Sequence, residues 1–269
     1  MQYDPIKRLL GTVFDQTPLL RKIFYCLLDL LLLRAWYVKK ELRKLKPGKT
    51  GIILDAGSGF GQYTYRMSRM FRKAVILAVD VKEEQIDQCN AFFKQIGADS
   101  RVHFQAEDLV HFVRPQQFQL ILSVDVMEHI EEDVQVFENF FRSLKDGGVL
   151  LISTPSDQGG SDVHDHGGGV QGFIEEHVRD GYNIHEIENK LKSVGFSKVK
   201  ARYSYGSAGK LSWRLSMKYP IRLLGVSKLF FVLLPFYYLV VYPLAAILNY
   251  VDVNGHHSSG TGLIVKAWK

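Results

Sequence analysis

The sequence predicts an α/β protein built on a doubly wound, mostly parallel sheet. Two observations predict it. From residue 51 to residue 153, short apolar strand-like runs alternate with amphipathic helical stretches, and the turn Gly57-Ser-Gly-Phe-Gly61 stands between the first run and the first helix. Near-continuous apolar strands separated by helices belong to a sheet covered on both faces. Composition agrees: 269 residues, 46% hydrophobic and 23% charged, exclude wholesale disorder and low-complexity fibre. Cys26 and Cys89 are the only cysteines, which excludes a disulfide-stapled scaffold and any CxxC motif. With no secretory leader visible, a reducing, cytoplasmic setting is expected.

The elements follow in order. Residues 5–46 are expected to be helical, with the run Phe24 to Arg34 broken by Asp29 and too short to cross a bilayer. Pro47-Gly48 ends them. Strands are expected at 51–55, 74–80, 101–105, 118–124 and 148–153, and helices at 61–71, 82–96 and 133–144. Residues 157–172, rich in Gly, Ser, Asp and His, read as a loop holding His164, Asp165 and His166. Asn183 is a suitable N-cap for a helix over 184–194 that Gly195 closes. Strands at 197–204 and 262–268 complete the set, with a mostly apolar stretch between them. The expected organisation is an N-terminal helical cap (1–47), a core (48–205), an apolar helical insertion (206–257) and a final core strand (258–269).

The glycine turn carries the chemistry. Gly57, Gly59 and Gly61 let the backbone turn tightly and approach a ligand that a Cβ would block. Gln62 stands where a dinucleotide fingerprint wants a further glycine, and Asp55 lies where a pyrophosphate would be repelled. An acid there suits a ligand with a positive group. Asp80, at the end of the second strand, is placed to accept both hydroxyls of a ribose. These residues resemble the class I S-adenosylmethionine-dependent methyltransferases: Asp55-Ala56-Gly57-Ser58-Gly59-Phe60-Gly61 looks like the family's first motif, and Asp80-Val81 like its ribose-binding acid and neighbour. Glu107-Asp108-Leu109 resembles the motif beside the adenine, Ser123-Val124 through His129 the motif facing the methyl donor, and Gly147-Gly148 the turn before the fifth strand. The resemblance implies a seven-stranded sheet of order 3-2-1-4-5-7-6 with the last strand antiparallel, and S-adenosylmethionine as cofactor.

Asp125, Glu128 and His129 follow the fourth strand and so lie over the sheet's carboxyl end. An imidazole with a pKa near neutrality suits a general base, which makes His129 and Glu128 the candidate catalytic residues. The Asp-x-x-Glu-His spacing also resembles a cluster of quinone-pathway O-methyltransferases and some RNA 2′-O-methyltransferases, where it binds a divalent ion. Two carboxylates and one imidazole would hold Mg²⁺ only within a larger shell, and no metal site is assigned. His177, in Glu176-His-Val-Arg179, resembles a segment that small-molecule methyltransferases place beside the acceptor.

Charge and hydropathy point to the acceptor. Residues 1–49 hold 11 Lys and Arg against 4 Asp and Glu, and residues 206–255 hold 5 against 1; these are also the most apolar segments. Basic residues beside apolar surface suit an anionic membrane, or a lid over a hydrophobic substrate. Leu229 to Leu248 contains no charge, but Pro235 and Pro243, and the need for the last strand to rejoin its sheet, favour two or three short helices over one span. The reading is an O-methyltransferase of a small hydrophobic or lipid-like acceptor, in peripheral contact with the inner face of an anionic membrane. An RNA methyltransferase and an inactive cofactor-binding protein of the same fold are the alternatives. Nucleic acid is disfavoured because the basic segments are apolar.

Overall fold

A computed structural model describes residues 17–45, 51–159, 178–227 and 230–269. Its centre is one seven-stranded sheet: β1 (Ile52–Ala56), β2 (Val75–Asp80), β3 (Val102–Ala106), β4 (Phe118–Val124), β5 (Leu144–Pro155), β6 (Lys198–Ser204) and β7 (Gly262–Trp268). The order is β3-β2-β1-β4-β5-β7-β6. The first five strands run parallel to one another, while β7 is antiparallel to both of its neighbours. Strand bounds agree with the sequence expectation to within a residue, except β5. That strand starts four residues early, because Leu144 pairs with Phe118 across an irregularity before the regular ladder begins at Val149.

The flanking helices of the core are α3 (Gln62–Met70), α4 (Glu83–Gln95), α5 (Asp133–Ser143) and α6 (Ile184–Val194). Each buries one stripe, and the two faces of the sheet carry separate apolar clusters. Asn183 caps α6 by accepting from the amides of His185 and Glu186, and Gly195 ends it at φ +119. Two helices precede the sheet, α1 (Pro18–Leu31) and α2 (Leu33–Lys44). Thr17 caps α1, Pro18 opens it, and the extended Leu32 separates the pair. Residues 1–16 and 46–47 of the expected N-terminal cap, and 48–50 at the start of the expected core, lie outside the described residues.

Both N-terminal helices are woven into the body. Arg21 is buried and donates to the Gln88 and Phe60 carbonyls, at 3.0 Å each. Tyr37, Val38 and Leu42 are fully buried in the core cluster beside Ile53 and Met67. Asp29, the acid that interrupts the apolar run, pairs with Arg66 and accepts from Gln62 Nε2 at 2.8 Å.

The stretch between β6 and β7 corrects one expectation. Its first half is short helical pieces, α7 (Ser207–Trp213), a π-turn (Arg214–Lys218) and α8 (Tyr219–Val226), but its second half is a single 25-residue helix, α9 (Phe230–Asn254), with Pro235 and Pro243 inside it. Each proline removes one backbone donor, whereas the strongly apolar residues around it favour keeping every remaining helical bond. The two halves lie side by side. Ser212 Oγ donates to Ala245 O at 3.1 Å, and the Tyr237 and Tyr238 hydroxyls donate to Leu215 O and Ser216 O at 2.6 and 2.7 Å. At the root, buried Asp252 accepts from the Tyr37 hydroxyl at 2.6 Å and from the Gly209 amide at 2.8 Å. The insertion is therefore a helical hairpin that leaves the sheet beside Ser204 and returns to it at Gly262.

Candidate active site

The glycine turn sits where β1 ends and α3 begins. Gly57, Gly59 and Gly61 all hold positive φ (+79, +51 and +80), a region that other residues enter only under strain. The Gly57 and Ser58 amides both donate to Val79 O at 2.9 Å, which ties the turn to β2. A Cβ on Gly57 would lie 2.2 Å from Val126, so the turn and the segment after β4 touch. A Cβ on Gly59 would meet nothing within 4 Å, which leaves that backbone open to a ligand.

Asp80 ends β2 and accepts from the Gly59 amide at 2.8 Å and the Lys82 amide at 3.1 Å. Its carboxylate is thereby held at the lip of the turn. Asp55 is different. It is buried, its carboxyl accepts from the Thr64 hydroxyl at 2.5 Å, and burial pushes it up to about 7. The described geometry thus gives Asp55 an internal partner on α3. Ala56 is fully buried in the sheet. Ser58 is buried with a hydroxyl that has no hydrogen-bond partner among the described residues. Val81 is exposed beyond Asp80, whereas Leu109 and Val124 are buried. Asp108 accepts from the Val110 amide at 2.9 Å, and Glu107 lies 3.9 Å from Arg114.

After β4 the chain makes a tight turn with Asp125 at φ +52 and a 3₁₀ turn over Met127–His129. A non-glycine residue held there is strained, and such strain gathers at functional sites. Asp125 pairs with Arg34 of α2, whose backbone amide donates to the Tyr205 hydroxyl at 3.0 Å. Tyr63, one residue into α3, is close enough for both Arg34 and Asp125 to act on its ionisation, and its buried hydroxyl has no partner among the described residues. Glu128 is buried and accepts from the Thr154 hydroxyl at 3.0 Å. Burial, reinforced by Asp125, holds its carboxyl well above the usual carboxylate range. His129 is exposed at the end of the turn.

The structure therefore brings Asp125 and Glu128 together and adds Arg34, Tyr63 and Tyr205, which the sequence reading did not single out. Arg34 ends an otherwise apolar run, and Tyr63 follows the glycine turn directly; those were the available signals. His177, with His164, Asp165 and His166, lies outside the described residues. The adjacent Val178 donates its amide to Glu128 O at 3.1 Å, and Arg179 clamps the same turn through Asp133 and Ile130 O. Among the described residues no group of three His, Cys, Asp or Glu side chains converges to hold a metal ion.

The chain was compared with known proteins. A family model described as a methyltransferase domain matches residues 48–200. Phosphoethanolamine N-methyltransferase 1 of Zea mays is 30% identical over 165 residues, covering 60% of this chain and 30% of that protein. Malonyl-[acyl-carrier protein] O-methyltransferase of Bacillus anthracis is 30% identical over 112 residues, covering 42% of this chain and 40% of that protein. The chain thus spans well under half the length of these curated relatives. Among solved structures, Haemonchus contortus phosphoethanolamine N-methyltransferase 2, in complex with phosphomonomethylethanolamine and S-adenosylhomocysteine, superposes with a TM-score of 0.56 at 21% identity over 85% of this chain and 51% of that one. An S-adenosylmethionine-dependent methyltransferase from Mesorhizobium loti gives 0.56 at 17% identity over 88% and 100%. At these identities the solved structures share the fold.

Proposed function

Because the chain belongs to the methyltransferase-domain family, we propose that it transfers a methyl group from S-adenosylmethionine to a small hydrophobic or lipid-like acceptor, at oxygen. The observation that carries the cofactor is the pairing of an open, positive-φ glycine turn with the Asp80 carboxylate fixed at its lip. The residues fit the group: Asp80 offers a carboxylate to ribose hydroxyls, Ser58 an unpartnered hydroxyl, and Gly59 a backbone with no obstacle. Asp55, Ala56, Gly57 and Gly61 shape the turn, while Val81, Glu107, Asp108, Leu109 and Val124 line the ends of the next strands.

When bound, the cofactor supplies an activated methyl carbon, so the protein's task is to orient the acceptor and take its proton. An acceptor hydroxyl must lose its proton as the new bond to oxygen forms. The turn after β4 offers His129 for that role, beside the buried Glu128, whose carboxyl is held above the ordinary carboxylate range by burial and by Asp125. Arg34 is anchored on Asp125 of the same turn.

A second reading, methylation at the nitrogen of a small phosphorylated amine, draws on the likeness to the phosphoethanolamine enzymes. Calorimetry with S-adenosylmethionine and, separately, NAD tests the cofactor: binding of the first and not the second is expected, and the reverse would defeat the reading. Mass analysis of methylated products from a lipid and quinol extract, against phosphoethanolamine, decides between oxygen and nitrogen. His129→Ala should lower turnover about 10²-fold while cofactor affinity is kept; unchanged turnover would remove His129 from the chemistry.

A further inference from the structure

The helical hairpin of residues 207–254 presents an apolar surface that the body of the protein leaves uncovered. On α9, Phe231, Val232 and Leu233 are consecutive and exposed (44, 65 and 50%), and Leu239 and Val240 are each 76% exposed. Three successive positions span more than half the circumference of a helix, so the uncovered face of distal α9 is apolar and broad, the side of Tyr237 and Tyr238 being turned to Leu215 and Ser216. Full burial is confined to its root, at Ala245, Asn249, Asp252 and Val253. No charged residue occurs from Leu229 to Val251. The helix is long and apolar enough to cross a membrane by length and composition, with mean hydropathy 2.1 and 6% of its most apolar window buried.

The partner arm differs. Lys210, Arg214, Lys218 and Arg222 fall at four-residue intervals along it, one cation on each successive turn. An arm carrying a charge at every turn is costly at the centre of a bilayer, but long basic side chains reach the headgroups when the helix lies at the interface. The hairpin also returns to the side from which it leaves, since Ser204 and Gly262 are partners in one sheet. Within it, the Tyr237 and Tyr238 hydroxyls satisfy backbone carbonyls at the π-turn, as an apolar surround requires. A second apolar patch lies on α1, which precedes the α2 helix that α9 packs against: Leu19, Ile23, Leu27 and Leu30 are exposed along it.

We infer that the hairpin of residues 207–254, with the outer face of α1, docks in-plane into one leaflet of an anionic bilayer, α9 sunk among the acyl chains and the basic arm at the phosphates. A protein groove would engage a narrow apolar stripe flanked by polar residues; an exposed face that is apolar over more than half the helix, with no charge along it and a row of cations on the adjoining arm, matches lipid. This inference does not rest on the methyl-transfer reading.

The test is flotation of the full chain with vesicles of phosphatidylcholine, alone or mixed with phosphatidylglycerol. Binding to the mixed vesicles is expected, weakened but not abolished by high salt. Replacing Lys210, Arg214, Lys218 and Arg222 together by Gln should weaken low-salt binding about tenfold or more and remove the salt dependence. Phe236, Leu239 and Val240→Ser should remove the salt-resistant part. An unchanged thermal unfolding transition by circular dichroism in both variants confirms that the body is intact. In a chain with Trp36 and Trp268 changed to Phe, Trp213 should be quenched more by lipids brominated near the headgroup than near the chain end. Stronger quenching from the chain end would overturn in-plane docking. Failure to float with the mixed vesicles at low salt would overturn docking altogether, and a concentration-dependent dimer in that case would assign the surface to a second copy.

Discussion

Asp80 is the residue proposed to receive the ribose of the cofactor. Its carboxylate already accepts two backbone amides, so it needs little reordering to receive a ribose. Charge-assisted hydrogen bonds of this kind are worth about 1.5–3 kcal/mol each. Asp80→Ala should therefore weaken S-adenosylmethionine binding by at least tenfold in calorimetry, and a change within twofold would count against its role. Glu128 gives a pH signature. A carboxyl whose folded pKa is raised binds its proton more tightly in the native state, so the stabilisation is present at low pH and is lost as pH rises through the window from the ordinary carboxylate range to the raised value. Asp55, pushed up to about 7, acts in the same sense, whereas the lowered pKa of Asp133 acts at more acid pH. In thermal melts the fall in Tm from pH 5.5 to 8.5 should be smaller in Glu128→Gln than in the parent, because Gln keeps the Thr154 contact without titrating. An identical fall in both proteins would show that Glu128 does not titrate there. Not every such residue was legible in the sequence. Gly57, Gly59, Gly61 and Asp80 were, because backbone conformation and strand ends dictate residue type locally. Arg34, Tyr63 and Tyr205 were not, because they meet only through packing of three distant segments. Asp55 was singled out as suiting a ligand with a positive group; that its carboxyl accepts from the Thr64 hydroxyl could not be read from the sequence.

At the scale of elements, the strands and core helices followed from periodicity, since each has one environment on each face and the sequence repeats that environment. The insertion did not. Prolines at 235 and 243 suggested breaks, but a proline costs one hydrogen bond, and a long apolar run can carry that cost without ending. The hairpin depends instead on its root. Asp252 is fully buried and receives the Tyr37 hydroxyl and the Gly209 amide, with His257 beside it. Asp252→Ala would leave the Gly209 donor buried without its partner, which costs about 1–3 kcal/mol before any packing loss. Urea unfolding should show a loss in that range or larger, and a loss below about 0.5 kcal/mol would mean that the root is held by packing alone.

The whole molecule is clasped by its two ends. Glu41 of α2 is buried and bonded to Lys44, to Arg202 of β6 at 3.0 Å and to Lys266 of β7 at 2.5 Å, so the N-terminal helices and the last two strands share one ionic centre. Glu41→Ala removes charge-assisted hydrogen bonds to partly exposed cations and should destabilise the fold by about 1.5–3 kcal/mol, read by the same unfolding measurement; no change would show that solvent replaces the carboxylate freely. The register of β6 against β7 has a further consequence. Ser204 and Gly262 face each other directly, so residues 205–261 occupy the place of an ordinary β-hairpin turn. Closing a loop costs free energy that grows only with the logarithm of its length, about 0.6 kcal/mol for each doubling. The sheet is therefore nearly indifferent to what is spliced between those two residues. Insertions of very different length and character could be exchanged at this one junction over evolutionary time, while the half of the sheet that carries the glycine turn kept its register.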